Sequence, residues 1–226
     1  MPNLVAVVIP CYKAEATIGE LVRRVTLHVP AQHVYCVDDG SDDGTARAIL
    51  ASGAHLLKHE VNLGKGRALQ TAFAEVVRRQ YSGAVAMDAD LQHLPEELPR
   101  FLSAAAAFDV VIGTRDYDVH NMPFDRYLTN RVTSLVTSAL AGTPVSDSQS
   151  GYRYLSRRAL TEVPLAGSRY DMESEQIIRA GRLGLRIGEV SISTVYSGAA
   201  SHIRPGADTV RFVRMVFRNL FWRPAA

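Results

Sequence analysis

Two aspartates stand two positions apart in Asp88-Ala89-Asp90, directly after the apolar run Ala84-Val85-Ala86-Met87. Carboxylates so spaced at the end of a strand can reach one hard cation together, and Gln92 adds a neutral oxygen two residues on. Mg2+ or Mn2+ is held in this way, by few protein oxygens, with phosphates and water completing the shell. Such an ion would hold a diphosphate and neutralise charge on it as it leaves. An Asp-x-Asp pair is also an ordinary polar turn. The buried strand before it and another acidic turn two strands earlier favour the metal reading.

That earlier turn is Asp38-Asp39-Gly40-Ser41-Asp42-Asp43-Gly44-Thr45, after His33-Val34-Tyr35-Cys36-Val37. Asp and Gly are common turn formers. Asp39 is expected to face a ligand, accepting hydrogen bonds from a base or ribose, while Asp43 or Thr45 caps the helix that follows. Asn62-Leu63-Gly64-Lys65-Gly66-Arg67 is a basic, glycine-bracketed turn opening a helix, which suits a phosphate, although solvated charges on a glycine turn explain it equally well. It has neither the P-loop spacing nor a dinucleotide fingerprint. Asp147-Ser148-Gln149-Ser150-Gly151-Tyr152-Arg153 reads as a polar loop, and Tyr170-Asp171-Met172-Glu173 with Glu175 places carboxylates at a helix start, where the helix dipole also favours them.

The elements that must position these groups follow from the apolar pattern. Val5–Ile9 is a β-branched run suited to a strand buried on both faces. Strands at 33–37, 56–57, 84–87 and 109–113 alternate with helices at 15–27, 45–51, 66–81 and 95–107, the pattern of a doubly wound, mostly parallel sheet. Beyond residue 115 the reading is a helix at 130–141, a short strand at 151–154, a helix at 173–183, a strand at 186–195 and a final helix at 208–222. In an open parallel sheet ligands bind beyond the carboxyl ends of the strands, and four polar loops, including Gly113-Thr114-Arg115, fall there. One domain is expected: a nucleotide-sugar-binding half (1–115), an acceptor-binding half (116–205) and a C-terminal amphipathic helix (206–226). On that helix Arg211, Arg214 and Arg218 recur at helical spacing, with Val210, Val213, Phe217, Leu220, Phe221 and Trp222 largely opposite. Such a helix either lies in a membrane interface or packs its apolar face on the domain.

The 226 residues suffice for a full core, and 47% hydrophobic with 21% charged residues is the balance of a folded globular chain. A net charge of +2 argues against a bulk polyanion binder, and no nucleic-acid partner is expected. Two cysteines, Cys11 and Cys36, both in or beside strand-like runs, suit a reducing compartment. Met1–Pro10 reads as a first strand, not a signal peptide. No stretch approaches the roughly 20 apolar residues that cross a bilayer. The expectation is a cytoplasmic protein with peripheral membrane contact.

Six motifs, in order, carry a resemblance: Pro10-Cys11-Tyr12-Lys13-Ala14-Glu15, Val37-Asp38-Asp39-Gly40-Ser41, Asn62-Leu63-Gly64-Lys65-Gly66, Asp88-Ala89-Asp90-Leu91-Gln92-His93, Gly113-Thr114-Arg115 and Ser148-Gln149-Ser150-Gly151-Tyr152-Arg153. Together they resemble glycosyltransferase family 2, and within it the dolichyl-phosphate mannosyltransferase (polyprenyl-phosphate-sugar synthase) group, over about residues 5–205. The resemblance implies an α/β fold of the glycosyltransferase-A type, Rossmann-like, with helices on both faces of the sheet. It implies nucleotide contacts at Pro10, Tyr12, Glu15, Val37 and Asp39, and a metal at Asp88, Asp90 and Gln92. Lys65, Ala89, Gln149 and Glu173 join the substrate-binding set. Arg115 would meet the acceptor phosphate or donor diphosphate, and Arg131 would do similar work. Relatives carry Arg and Lys in a segment like 196–203, where this chain has Tyr196 and His202; His202 and Arg204 are expected to supply positive charge instead.

The implied reaction moves a sugar from a nucleotide-sugar (GDP-mannose or UDP-glucose type) to a polyprenyl phosphate, with inversion. A phosphate acceptor is already ionised and needs no general base. What remains is alignment and stabilisation of the departing diphosphate. A rival within the family acts on a sugar hydroxyl and needs a carboxylate base, for which Asp171 or Glu173 is the candidate. A sugar-phosphate nucleotidyltransferase fits less well, because Pro10-Cys11-Tyr12-Lys13 lacks the glycine-rich loop of that class. The non-enzymatic alternative is a nucleotide-sensing module.

Overall fold

The computed structural model describes residues 4–115, 124–167, 171–193 and 205–224. Seven strands form one sheet: β1 (Val5–Cys11), β2 (Val34–Asp39), β3 (His55–His59), β4 (Gly83–Ala86), β5 (Val110–Arg115), β6 (Arg153–Ser156) and β7 (Ile187–Ile192). Their order across the sheet is β3-β2-β1-β4-β6-β5-β7. Among the described residues only β6 runs antiparallel, paired with β4 on one side and β5 on the other; the remaining described pairs are parallel. The helices are α1 (Ile18–Val25), α2 (Thr45–Ala51), α3 (Lys65–Arg78), α4 (Leu98–Ala104), α5 (Phe124–Ala141), α6 (Arg157–Glu162), α7 (Asp171–Arg182) and α8 (Pro205–Leu220).

Each face of the sheet carries its own core, as the continuous apolar runs of β1, β2 and β4 require. On one face Ala6, Val8, Tyr35 and Val37 pack against α3 through Leu69, Phe73 and Val76, and against α7 through Met172 and Ile177. On the other, Val7, Ile9, Cys36 and Val85 pack against Ile18, Leu21 and Val22 of α1, Ile49 of α2 and Phe101 of α4. Cys11 and Cys36 are buried free thiols.

Several elements differ from the sequence reading. The long helix after β4 is a single 3-10 turn, Pro95–Glu97, followed by the shorter α4. Helix α5 begins at Phe124, earlier than expected. Helix α6 was not anticipated: its six residues are too few to show a period, and it is started by Ser156, whose hydroxyl accepts from Ala159 N. The largest difference is in direction, since β6 enters antiparallel between β4 and β5. Strands from both halves of the chain therefore share one sheet. That entry also brings the loop before β6 to the carboxyl edge of β1, β2, β4 and β5, where the polar loops gather.

Candidate active site

The first two loops of this edge are stitched together. Lys13 N donates to Ser41 Oγ at 3.0 Å, and Ala14 N to Thr45 Oγ1 at 2.8 Å. Glu15 accepts from Gly44 N and from Arg47. Asp43 Oδ1 accepts from Thr45 N and Thr45 Oγ1, so the expected start of α2 is held by Asp43. Lys13 takes a left-handed φ of 52°, which turns its side chain across to Asp42 at 3.0 Å. Tyr12 is 43% exposed, a ring face open at the edge.

Asp39 has partners within the protein that the sequence does not announce. Its Oδ2 accepts from Gly64 N at 2.7 Å, and its Oδ1 from Leu63 N at 3.0 Å, with His59 Nδ1 2.6 Å away. Only 2% of the residue is exposed. Both oxygens take part in holding the turn that opens α3, directly before Lys65. Gly40 makes this packing possible: at φ +71° a Cβ there would fall 2.4 Å from the Val61 carbonyl carbon. Val37 is likewise fully buried, with its side chain in the core, and it supports the loop from beneath. Glu15 is the second nucleotide candidate whose carboxylate has partners in the protein itself, here Gly44 N and Arg47. Of that set, Tyr12 and Glu15 are exposed and Pro10 partly so.

The loop after β4 is braced from below. Asp88 N donates to His93 Nδ1 at 3.2 Å. The His93 ring packs on Tyr152 with centroids 5.1 Å apart, and Tyr152 stacks on Phe101 at 4.2 Å. Burial pushes the His93 imidazole down, in favour of the neutral ring that this acceptor role requires. Leu91 sits at φ 62°, a strained conformation for a branched side chain of the sort found at functional turns. Asp90 is exposed, and its Oδ1 accepts from Gln92 N at 3.0 Å.

Asp88 meets a partner that the sequence conceals. Lys65, the first residue of α3, places Nζ 2.6 Å from Asp88 Oδ1 and 3.0 Å from Glu173 Oε1. Burial would raise the Asp88 carboxyl, but the Lys65 ammonium, with His93 and Arg115 behind it, holds it below its ordinary value. Burial likewise opposes the Lys65 charge, and Asp88 and Glu173 overcome it, so the ammonium is retained. Gly151 roofs this pair: a Cβ there would lie 2.7 Å from Asp88 Oδ2 and 2.8 Å from Lys65 Nζ.

The arrangement fits a divalent cation of the Mg2+ or Mn2+ kind. Among the described residues no group of three or more His, Cys, Asp or Glu gathers to cage an ion. Asp88 and Asp90 instead make an open pair with Gln92 beside it, and the Gly151 backbone leaves room over Asp88 that any Cβ would fill.

Arg115 ends β5 and is fixed by Asp147, a residue read from the sequence only as part of a loop. Arg115 Nε and Nη2 donate to Asp147 Oδ2 and Oδ1 at 2.6 and 3.0 Å, and Asp147 is fully buried. Gln149 N also donates to Asp147, which orients the loop before β6. Arg153, 2% exposed, ties that loop to α7 by donating to the carbonyls of Ser148, Ser150 and Glu173. The signals for these roles were an acid and a base within one polar motif; their pairing across 32 residues was not visible. Ala89 and Gln149 lie at the edge, half-buried. Arg131 is exposed on α5, and no carboxylate among the described residues pairs with it. His202 and Arg204 lie outside the described residues.

Comparison with known proteins agrees with this geometry. The model of the family "Glycosyl transferase family 2" matches residues 6–163. An undecaprenyl-phosphate mannosyltransferase of Micrococcus luteus is 33% identical over 202 residues, 84% of this chain and 83% of that protein. A UDP-N-acetylglucosamine–dolichyl-phosphate N-acetylglucosaminyltransferase of Methanococcus voltae is 31% identical over 219 residues, 86% of this chain and 87% of that one. Among solved structures, glucosyl-3-phosphoglycerate synthase from Mycobacterium tuberculosis, in complex with Mn2+, UDP and phosphoglyceric acid, superposes with a TM-score of 0.73 at 25% identity, covering 97% of this chain and 78% of that one. The fold is therefore of the glycosyltransferase-A type, and the chain is a glycosyltransferase that belongs to glycosyl transferase family 2.

Proposed function

We propose that this enzyme moves a sugar from a nucleotide-sugar onto a polyprenyl phosphate, with inversion at the anomeric carbon. The observation that carries the choice of acceptor is the state of the carboxylates beside the site. Glu173 is ion-paired to Lys65 at 3.0 Å, and Asp171 has Arg218 at 4.0 Å. A hydroxyl acceptor needs a carboxylate free to take a proton; an ionised phosphate does not. The names of the two sequence relatives, both of which carry a polyprenyl-type phosphate, support the same acceptor.

A divalent cation at Asp88, Asp90 and Gln92 would offset charge on the departing nucleoside diphosphate. The protein's own groups do the remaining work. Tyr12 offers its ring to the base at the outer edge. Arg115, locked by Asp147, presents a fixed positive charge to a phosphate at the mouth of the β4–β5 junction. Arg131 extends that charge along α5, and His202 and Arg204 add to it.

The membrane side of the proposal rests on α8 and α5. Among the described residues no helix is long and apolar enough to cross a membrane. Yet Val210, Val213, Phe217, Leu220 and Phe221 point outward, Phe217 at 62% and Phe221 at 85% exposure. The inward face of α8 is held by polar groups: Arg218 donates to Glu175, and Asn219 Oδ1 accepts from Arg179. Met215 is fully buried and Trp222 half-buried with Arg179 over its ring, so α8 packs on the domain there, while the exposure of the other apolar side chains supports the membrane alternative. Leu128, Val132 and Leu135 form a second exposed apolar stripe on α5. Both stripes, with Arg131 and Arg214 beside them, suit shallow contact with the cytoplasmic face of an anionic membrane.

The test is a donor screen. Purified protein with Mg2+ or Mn2+, a short polyprenyl phosphate and a panel of GDP- and UDP-sugars should yield a lipid-phosphate-sugar by mass spectrometry, and Asp90→Ala should abolish it. Donor binding without transfer to any polyprenyl phosphate would overturn the acceptor assignment and point to a hydroxyl, with Glu173 as its base.

A further inference from the structure

A lysine at the first position of a helix is out of place, because the helix N-terminus already carries partial positive charge. Lys65 opens α3 with no acidic residue in that helix's first turn. What holds it there is the pair Asp88 and Glu173, from β4's loop and from α7. Glu173 is unusual in turn. It is 3% exposed, and neither of its oxygens accepts a hydrogen bond of good geometry, so its compensation is the charge of Lys65 at 3.0 Å and that of the buried Arg153 beside it. A buried carboxylate with unfilled acceptor capacity is costly and implies a use.

The geometry points to a cation hand-over. Lys65 occupies Asp88 while the divalent-cation site is empty, and Glu173 receives the ammonium when the cation takes Asp88. This rests on the reading that Asp88 and Asp90 hold a divalent ion, and it adds how the site manages its charge. Lys65 Nζ sits on Asp88 Oδ1 at 2.6 Å, the oxygen a cation bound by both carboxylate oxygens would take. A cation on Asp88 must therefore push the ammonium aside. The free acceptor capacity of Glu173 lies in reach, so Lys65 moves within the site without becoming an unpaired buried charge. The protein thus resists a bare cation until the lysine has shifted to Glu173.

The consequence is a pair of opposite effects on the cation alone, with no nucleotide or acceptor present. Mn2+ binding is read by electron paramagnetic resonance of the free ion on the purified, full-length protein. Lys65→Met removes the competitor and leaves two bare carboxylates, so Mn2+ should bind at least about tenfold more tightly than to the wild type, within the range coupled sites span. Glu173→Gln keeps the shape but removes the receiving charge, so Mn2+ should bind several-fold more weakly. A merely structural role for Lys65 predicts loss, not gain, when it is removed. Thermal unfolding in the absence of metal identifies a variant that has lost its fold; if Lys65→Met does so, Glu173→Gln decides alone. Mn2+ binding to the wild type that is lost in Asp90→Ala, together with unchanged or weaker binding in Lys65→Met, would overturn the hand-over and leave the metal site standing. Absence of Mn2+ binding in the wild type and Lys65→Met alike would overturn both.

Discussion

Asp147→Asn tests whether a buried charge pair sets the geometry of Arg115. Asp147 has no exposed surface, and its two oxygens receive Arg115 Nε and Nη2 at 2.6 and 3.0 Å. Two unit charges about 4 Å apart interact by about 4 kcal/mol at an effective dielectric of about 20. Removing one partner from a buried pair costs about 3–5 kcal/mol, because the other charge is left uncompensated. Asparagine keeps an acceptor oxygen, and hence one bond to Arg115 or to Gln149 N, so the expected loss is about 2–3 kcal/mol. For a chain of this size that lowers Tm by about 5–10 °C. The guanidinium, no longer forked onto two oxygens, should also lose its fixed aim: acceptor KM should rise about tenfold, while Mn2+ affinity, which we propose rests on Asp88 and Asp90, should stay the same. Differential scanning fluorimetry and steady-state kinetics with the donor identified by the screen provide both readouts. A Tm within about 2 °C of wild type together with an unchanged acceptor KM would refute the reasoning, because the pair would then be neither buried in effect nor used.

Three further outcomes follow from the same geometry. Gly151→Ala should abolish transfer with little change in Tm, since the new methyl would displace the ends of two flexible side chains, Asp88 and Lys65, and not backbone; full activity in that variant would show that the roof over Asp88 is not part of the site. Phe217→Ser with Phe221→Ser should reduce co-sedimentation with anionic vesicles and leave thermal stability unchanged, since both side chains are exposed; undiminished sedimentation would remove α8 from the membrane contact. The Asp88 carboxyl is held below its unfolded value, near 3.9, by Lys65. Its contribution is therefore complete above that range and is lost as pH falls through the lower, folded value, so chemical denaturation from about pH 5 to 2 should show the stability gap between wild type and Lys65→Met closing as acid is added.

The strand-helix alternation up to residue 113 was legible because each element there has a run of its own, apolar on both faces for strands and periodic for helices. What stayed hidden was whatever depends on partners distant in the chain. The antiparallel sense of β6 is a property of its neighbours β4 and β5, not of Arg153–Ser156. Asp39 sits in an acidic turn whose composition suits a ligand, and its bonds to two backbone amides from residues 63 and 64 have no local signal. The pairing of Lys65 with Asp88 and Glu173 spans three elements and leaves no local trace. For α8, helical spacing separated an arginine row from an apolar row, but the residues that face inward, Met215 and Asn219, belong to neither, and Asn219 is held by Arg179 on another helix.

The late strand that completes the sheet also sets the order of assembly. Chain emerging up to β5 has both neighbours of β6 but not β6 itself, so β4 and β5 expose unpaired edges until Arg153–Ser156 arrives. Such edges invite pairing with other chains, and closing them requires contacts at long sequence separation, which slows folding. The segment that closes them is contiguous with Gly151 and Asp147, the residues that roof Asp88 and aim Arg115. The catalytic edge is therefore among the last parts of the molecule to form, and a truncated or stalled chain would be sticky and unable to assemble a working site.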